Sequence, residues 1–285
     1  MRIFARTLFV ALLFSALLPT ARTQSPPAKT PPARPPAVPH LSVCYNKNLP
    51  SPLFAPFSIL ALDSSYPAEE LATLRESGKT TLCHLSLGNA SPAKGWFKPL
   101  EEAGVLGETP AGSGSRAINL KDPAWENLLI QALIPQLIEK GFTGLLLDDL
   151  DSIQQRKQQG QASALIDSIR KHFPQLKLMA NGGLGYLPSF AQRIDYILLE
   201  NRIAKNQQLI PLIQLSKTLT LLDSGIKANP KLLTFALDYY SPEPSPLMAP
   251  QLVIIANLRR LHFENGLISC VTVESLDAVP IRPVN

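Results

Sequence analysis

The stretch Gly141-Phe142-Thr143-Gly144-Leu145-Leu146-Leu147-Asp148-Asp149-Leu150-Asp151-Ser152 decides how this 285-residue chain is read. Four residues, Gly144 to Leu147, carry no polar side chain, and a carboxylate closes them. A short continuous apolar run suits a strand covered on both faces, as in a parallel sheet. Side chains alternate along a strand, so Leu146 and Asp148 point one way and Asp149 the other. If Leu146 faces the inside of a barrel, so does Asp148, while Asp149 turns toward a helix.

Upstream, Asp122 precedes Pro123 in the order of an N-cap and a first helical residue, and the helix predicted over 123–140 stops at Gly141. Further helices are predicted over 160–172, 207–222 and 250–263. Strands are predicted over 41–45, 58–62, 80–87, 144–148, 177–180, 196–200, 233–238 and 267–271. Eight short strands alternating with helices in about 245 residues predict a single α/β domain, a (β/α)8 barrel. A doubly wound open sheet is the alternative. Gly182-Gly183-Leu184-Gly185 lacks the dinucleotide-binding GxGxxG spacing, so no such cofactor is expected. The polar stretch 88–114 is read as an insertion that shapes a groove.

The ends of the chain are of a different kind. Arg2 and Arg6 precede the apolar run Thr7 to Pro19, and small residues follow at Thr20 and Ala21, so residues 1–21 read as a secretory signal peptide. A retained anchor is the alternative. Residues 22–40, with seven prolines between Pro26 and Pro39, read as an extended Pro-rich linker, and 41–285 as the folded domain. Five basic residues and no acidic ones lie before residue 41, leaving 22 basic and 22 acidic residues in the domain. The overall net charge of +5 therefore does not argue for nucleic acid. A secreted or periplasmic monomer with no membrane span after processing is expected. Cys44, Cys83 and Cys270 show no metal spacing and read as buried thiols. Cys44 and Cys270 would be the pair to bridge if the first and last strands meet.

Polar residues collect where the strands end: Asp63, His84 and Ser86, then Asp148, Asn181, Glu200, Asp238 and Tyr239. In a (β/α)8 barrel those ends form the active-site face. Asp148 and Glu200, each two residues beyond an apolar residue of the same parity, would face each other across the mouth. Glycosidases need two opposed carboxyls, one to protonate the leaving oxygen and one to attack carbon or activate water. Asp149 and Asp151 also read as helix-cap or loop residues, His84 as a hydrogen-bonded barrel histidine, and Asn181-Gly182 as a turn. The Asp148/Asp149/Asp151 set could hold a divalent cation, but it lacks the calcium-loop pattern, and no metal is assigned.

These residues resemble glycoside hydrolase family 114, the endo-α-1,4-polygalactosaminidases related to the Pel polysaccharide hydrolase domain. Residues 141–152 resemble the family's "GFDGVFLDTLDS" strand, and Ala180-Asn181-Gly182-Gly183 resembles its "NNG" strand end. Tyr196 to Glu200, Leu237-Asp238-Tyr239 and Val273-Glu274-Ser275-Leu276-Asp277 resemble its later strands. The resemblance implies a retaining hydrolase of α-linked galactosamine polymer, with Asp148 as nucleophile and Glu200 as acid/base. It makes Tyr45, Asp63, Asn181 and Tyr239 candidate sugar contacts, beside His84 and Asp238 at the other strand ends. The third strand departs from the family: His84-Leu85-Ser86-Leu87-Gly88-Asn89 stands where the pattern has Tyr first and Glu last. That departure leaves a non-catalytic carbohydrate-binding barrel as one alternative, and the aspartate cluster leaves a metal-dependent hydrolase as another. A mouth holding Asp63, Asp148, Asp149, Asp151, Glu200 and Asp238 would attract a cationic amino-sugar polymer.

Overall fold

The structure is a computed structural model that describes residues 38–109, 114–205, 208–241 and 249–280. The signal and most of the linker read from the sequence lie outside the described residues. Eight strands form one sheet in chain order: β1 Leu41–Val43, β2 Ile59–Leu62, β3 Thr80–Ser86, β4 Gly144–Asp148, β5 Lys177–Asn181, β6 Tyr196–Glu200, β7 Leu233–Tyr240 and β8 Ile268–Val273. Every hydrogen-bonded neighbour pair is parallel. The edges β1 and β8 come together at the seam, where Tyr45 N–H donates to the Leu276 carbonyl at 2.6 Å and Asn46 Nδ2 to the Asp277 carbonyl at 3.1 Å. The result is the expected (β/α)8 barrel, nearly closed.

Helices cover the sheet's outer face: α1 Ala68–Glu76, α2 Phe97–Glu102, α3 Pro123–Leu128, α4 Ile134–Lys140, α5 Leu150–Gln155, α6 Gln159–His172, α7 Leu212–Ala228 and α8 Ala249–Glu264. The Asp122 carboxylate caps α3 by accepting the Ala124 N–H at 2.9 Å, and Gly141 ends α4 at φ 117°. The helix predicted over 123–140 is interrupted by a π-helical turn at Leu129–Leu133. Pro135 accounts for it. Proline has no N–H to give the Gln131 carbonyl, and its ring would clash there, so the chain widens by a residue per turn. The helix predicted from 207 begins instead at Leu212, directly after Pro211. Gln208–Leu209 pairs antiparallel with Ala204–Lys205 in a small ribbon.

Strand alternation splits the apolar residues into two layers. Leu60, Leu62, Leu85, Leu145, Leu147, Ile197 and Leu199 face outward against the helices. Val43, Ala61, Leu82, Leu146, Met179, Leu198, Leu237 and Cys270 fill the barrel. Gly144 opens β4 because no side chain fits there: a Cβ would lie 2.2 Å from the Lys177 carbonyl oxygen. All three cysteines are free and buried. Cys44 belongs to the outer layer and Cys270 to the interior, so the bridge entertained between them does not form.

Candidate active site

Tyr45, Asp63, His84, Asp148, Asn181, Glu200 and Tyr239 each stand two residues beyond an inward-facing residue of the same strand. Alternation therefore sends seven of the eight expected site residues to one mouth. The contacts there are direct. Asn181 Nδ2 donates to Asp148 Oδ1 at 3.1 Å and to Glu200 Oε2 at 2.6 Å. Two carboxylate oxygens on one nitrogen can be no more than about 5.7 Å apart. His84 Nε2 lies 2.8 Å from Asp148 Oδ2, and the Asp149 backbone N–H donates to Asp148 Oδ1 at 2.7 Å. The Tyr239 hydroxyl donates to Glu200 Oε1 at 2.6 Å. The Tyr45 ring packs on His84 with centroids 4.7 Å apart.

The electrostatics follow from these bonds. Burial pushes the Asp148 carboxyl up, but donation from His84, Asp149 N–H and Asn181 outweighs it and holds the group below the ordinary aspartate value. Since an ionised carboxylate only accepts, the hydrogen on that contact sits on His84 Nε2. Burial, and then the fields of Asp148, Glu200 and Asp63, pushes the Tyr45 phenol well up. The Tyr239 phenol is raised likewise by burial and by the Glu200 charge. Both tyrosines stay neutral donors. Replacing His84 by Phe removes Asp148's largest stabilising partner. The acid limb of kcat/KM, which reports free-enzyme groups, should then move to higher pH; a pH profile of the variant against the native chain checks this. The sign is that of a depressed acid: ionised Asp148 is lost as pH falls through its folded value, and that value rises when His84 goes.

Asp238 is the exception among the expected residues. It has the opposite parity, so it points out of the barrel and meets α8. Its Oδ2 lies 2.6 Å from His262 Nε2, with side-chain exposures of 1% and 0%, and its Oδ1 accepts the Ala204 N–H at 3.3 Å. It cannot touch a glycan in the mouth. His262, closed on its other side by Ser269 Oγ at 2.7 Å, escaped the sequence reading because it lies in the last turn of a helix with no motif around it.

The acidic mouth is also less charged than composition suggests. Asp63 is paired with Lys94, and Asp151 with Arg202, while Asp149 accepts the Ser86 hydroxyl. Asp151 serves the neighbouring turn, where it accepts the Gly183 N–H at 2.9 Å. Gly182 there has φ 76°, and a Cβ on it would come within 2.7 Å of the Asp151 carboxylate, so glycine is needed on both counts. Among the described residues, no group of three His, Cys, Asp or Glu side chains could hold a metal ion. The insertion and α5 enclose a cleft of about 640 Å³ lined by Asn89, Asn119, Gln155 and Arg156, among others.

A parallel eight-stranded barrel with two bridged carboxylates at the carboxyl ends of its strands is the arrangement of a glycoside hydrolase. The sequence pattern of glycoside hydrolase family GH114 matches residues 22–245, and the chain belongs to that family. Among solved structures, the glycoside hydrolase domain of PelA from Pseudomonas aeruginosa superposes with a TM-score of 0.72 at 21% identity, covering 86% of this chain and 99% of that one. Aspergillus fumigatus Ega3 in complex with galactosamine gives 0.64 at 11% identity, over 86% and 94%. These likenesses show the fold. The uncharacterized protein MJ1477 of Methanocaldococcus jannaschii is 27% identical over 112 residues, which span 34% of this chain and 32% of that protein.

Proposed function

We propose that this chain is an endo-acting hydrolase of α-linked, galactosamine-containing polysaccharide that works with retention. Asp148 is the nucleophile and Glu200 the acid/base. One observation carries the reading: the Asn181 amide joins the two carboxylates, which keeps their nearest oxygens within about 5.7 Å. Retaining enzymes hold their carboxyls about 5–5.5 Å apart, and inverting ones about 6.5–9.5 Å to admit a water. Asp148 is the group kept ionised, as a nucleophile must be. It attacks the anomeric carbon while Glu200 gives its proton to the departing oxygen. Glu200, then a base, takes a proton from the water that releases the sugar from Asp148. Tyr239 and Asn181 hold Glu200 in place from two sides. Membership of GH114 and the galactosamine bound to Ega3 support the amino-sugar substrate.

The test is incubation with an α-1,4-galactosamine polymer, with new reducing ends counted and the first-formed anomer read by proton NMR. Oligomers of mixed length with initial α configuration are expected. Initial β product would overturn retention, and binding without new ends would make the barrel non-catalytic. The same reading places the enzyme outside the cytoplasm, on the strength of Arg2, Arg6 and the Thr7 to Pro19 run. A mature protein lacking about its first twenty residues, weighed by mass spectrometry, is the expected result. No helix among the described residues is long and apolar enough to cross a membrane.

A further inference from the structure

The insertion after β3 delivers an ammonium group to the rim of the mouth. Lys94 lies in the turn that begins at Ser91, whose carbonyl accepts the Lys94 N–H at 3.0 Å. Its Nζ forms an ion pair with Asp63 Oδ2, donates to Ser64 Oγ at 3.3 Å and sits 5.7 Å from the centroid of the Trp96 ring. A carboxylate, a hydroxyl and an aromatic face around one cation make up an ammonium site. Lys94 and Asp63 are both about four-fifths buried. The site adjoins the reaction centre, because the Asp63 charge acts on Tyr45 together with those of Asp148 and Glu200.

We propose that Asp63, Ser64 and Trp96 form a subsite for the free amine of an amino sugar, and that Lys94 occupies it as a tethered ammonium until substrate displaces it. The proposal rests on the galactosamine reading above and adds how the site tells amine from N-acetyl. Exchange of one ammonium for another leaves the charge of the site unchanged, whereas a neutral acetamido group cannot replace Lys94 without leaving Asp63 unpaired. With Lys94 in place Asp63 is ionised. Burial opposes this, but donation from Lys94 and from the Ser65 hydroxyl and N–H holds its carboxyl at about 2. The lysine is a point charge on a flexible stem, so it can swing to solvent without moving the fold. A latch closed about nine-tenths of the time weakens the apparent affinity about ten-fold, and its removal restores that factor.

The experiment compares the native chain with Lys94→Gln, Lys94→Arg, Asp63→Asn and the double variant Lys94→Gln/Asp63→Asn. Titration calorimetry uses fully deacetylated α-1,4-galactosamine oligomers and their N-acetylated counterparts, with cleavage followed in parallel. Lys94→Gln should tighten binding of the deacetylated oligomer several-fold and leave the acetylated one unchanged, and Lys94→Arg should resemble the native chain. Asp63→Asn should weaken only the deacetylated oligomer, and the double variant should follow Asp63→Asn. Equal effects on both oligomers, or weaker binding of the deacetylated oligomer to Lys94→Gln, would overturn the proposal. If Lys94→Gln does not fold, lysine-labelled native chain gives the answer by NMR. The Lys94 ammonium signal should shift on adding the deacetylated oligomer and stay put with the acetylated one; no difference between the two sinks the latch. Cleavage of both polymers without discrimination refutes the latch and leaves the hydrolase reading standing. Discrimination in binding without cleavage does the reverse.

Discussion

Asp148→Asn should leave the barrel folded and lower turnover of a galactosamine polymer by about 10⁴-fold, roughly 5 kcal/mol of barrier. The substitution is nearly isosteric, and the contacts show why the fold tolerates it. Asp148 Oδ1 takes two donors, Asn181 Nδ2 and the Asp149 N–H, while Oδ2 takes one, His84 Nε2. The amide oxygen of an asparagine can keep the first two. Its NH₂ can donate to His84 if that ring moves its proton to Nδ1. What is lost is the anion that attacks carbon, and no neighbour in the mouth replaces it: Glu200 is needed for proton transfer and Asp149 faces Ser86. Glu200→Gln should cost about 10²–10⁴-fold, the usual contribution of a general acid. Steady-state kinetics with a melting curve for each variant checks both. Full activity in either would remove that residue from the chemistry.

Asp238→Ala should act on stability. Removing one partner of a buried, hydrogen-bonded carboxylate–imidazole pair costs about 3–5 kcal/mol, because the other is left without its partner in an apolar surround. Here that partner is His262, buried between β7, β8 and α8, and the Ala204 N–H loses its acceptor as well. For a domain of this size the melting temperature should fall by roughly 6–20 °C. Scanning calorimetry of the variant measures it. A melting temperature within a degree of native would mean the pair contributes little, and a change confined to KM would return Asp238 to the sugar site.

These two acids show what was legible. Both close an apolar run of the sequence, and both resemble positions of the family pattern. Parity along a single strand separates them: Asp148 follows Leu146 inward, while Asp238 sits between Leu237 and Tyr239, which both face the interior side. The sequence reading placed Tyr239 correctly at the mouth and took its neighbour along with it, although adjacent strand residues cannot share a face. Asp63 was read as free to meet sugar, and the ion pair with Lys94 was not foreseen. Thirty-one residues and a change of element separate the two, and nothing local in either stretch signals the contact. The helix breaks had readable causes in Pro135 and Pro211, since a missing N–H acts wherever it stands.

By itself the sequence determined the strand and helix order, the parallel barrel and which side chains reach the mouth. These depend on apolar periodicity and alternation, which are properties of neighbouring residues. The tertiary structure alone decided which charges meet: Asn181 between Asp148 and Glu200, His84 against Asp148, Lys94 on Asp63, and His262 under Asp238. A Coulomb or hydrogen-bond partner is set by distance through space, and pairing β3, β4, β5 and β6 side by side in one sheet is what brings their ends within bonding reach of one another.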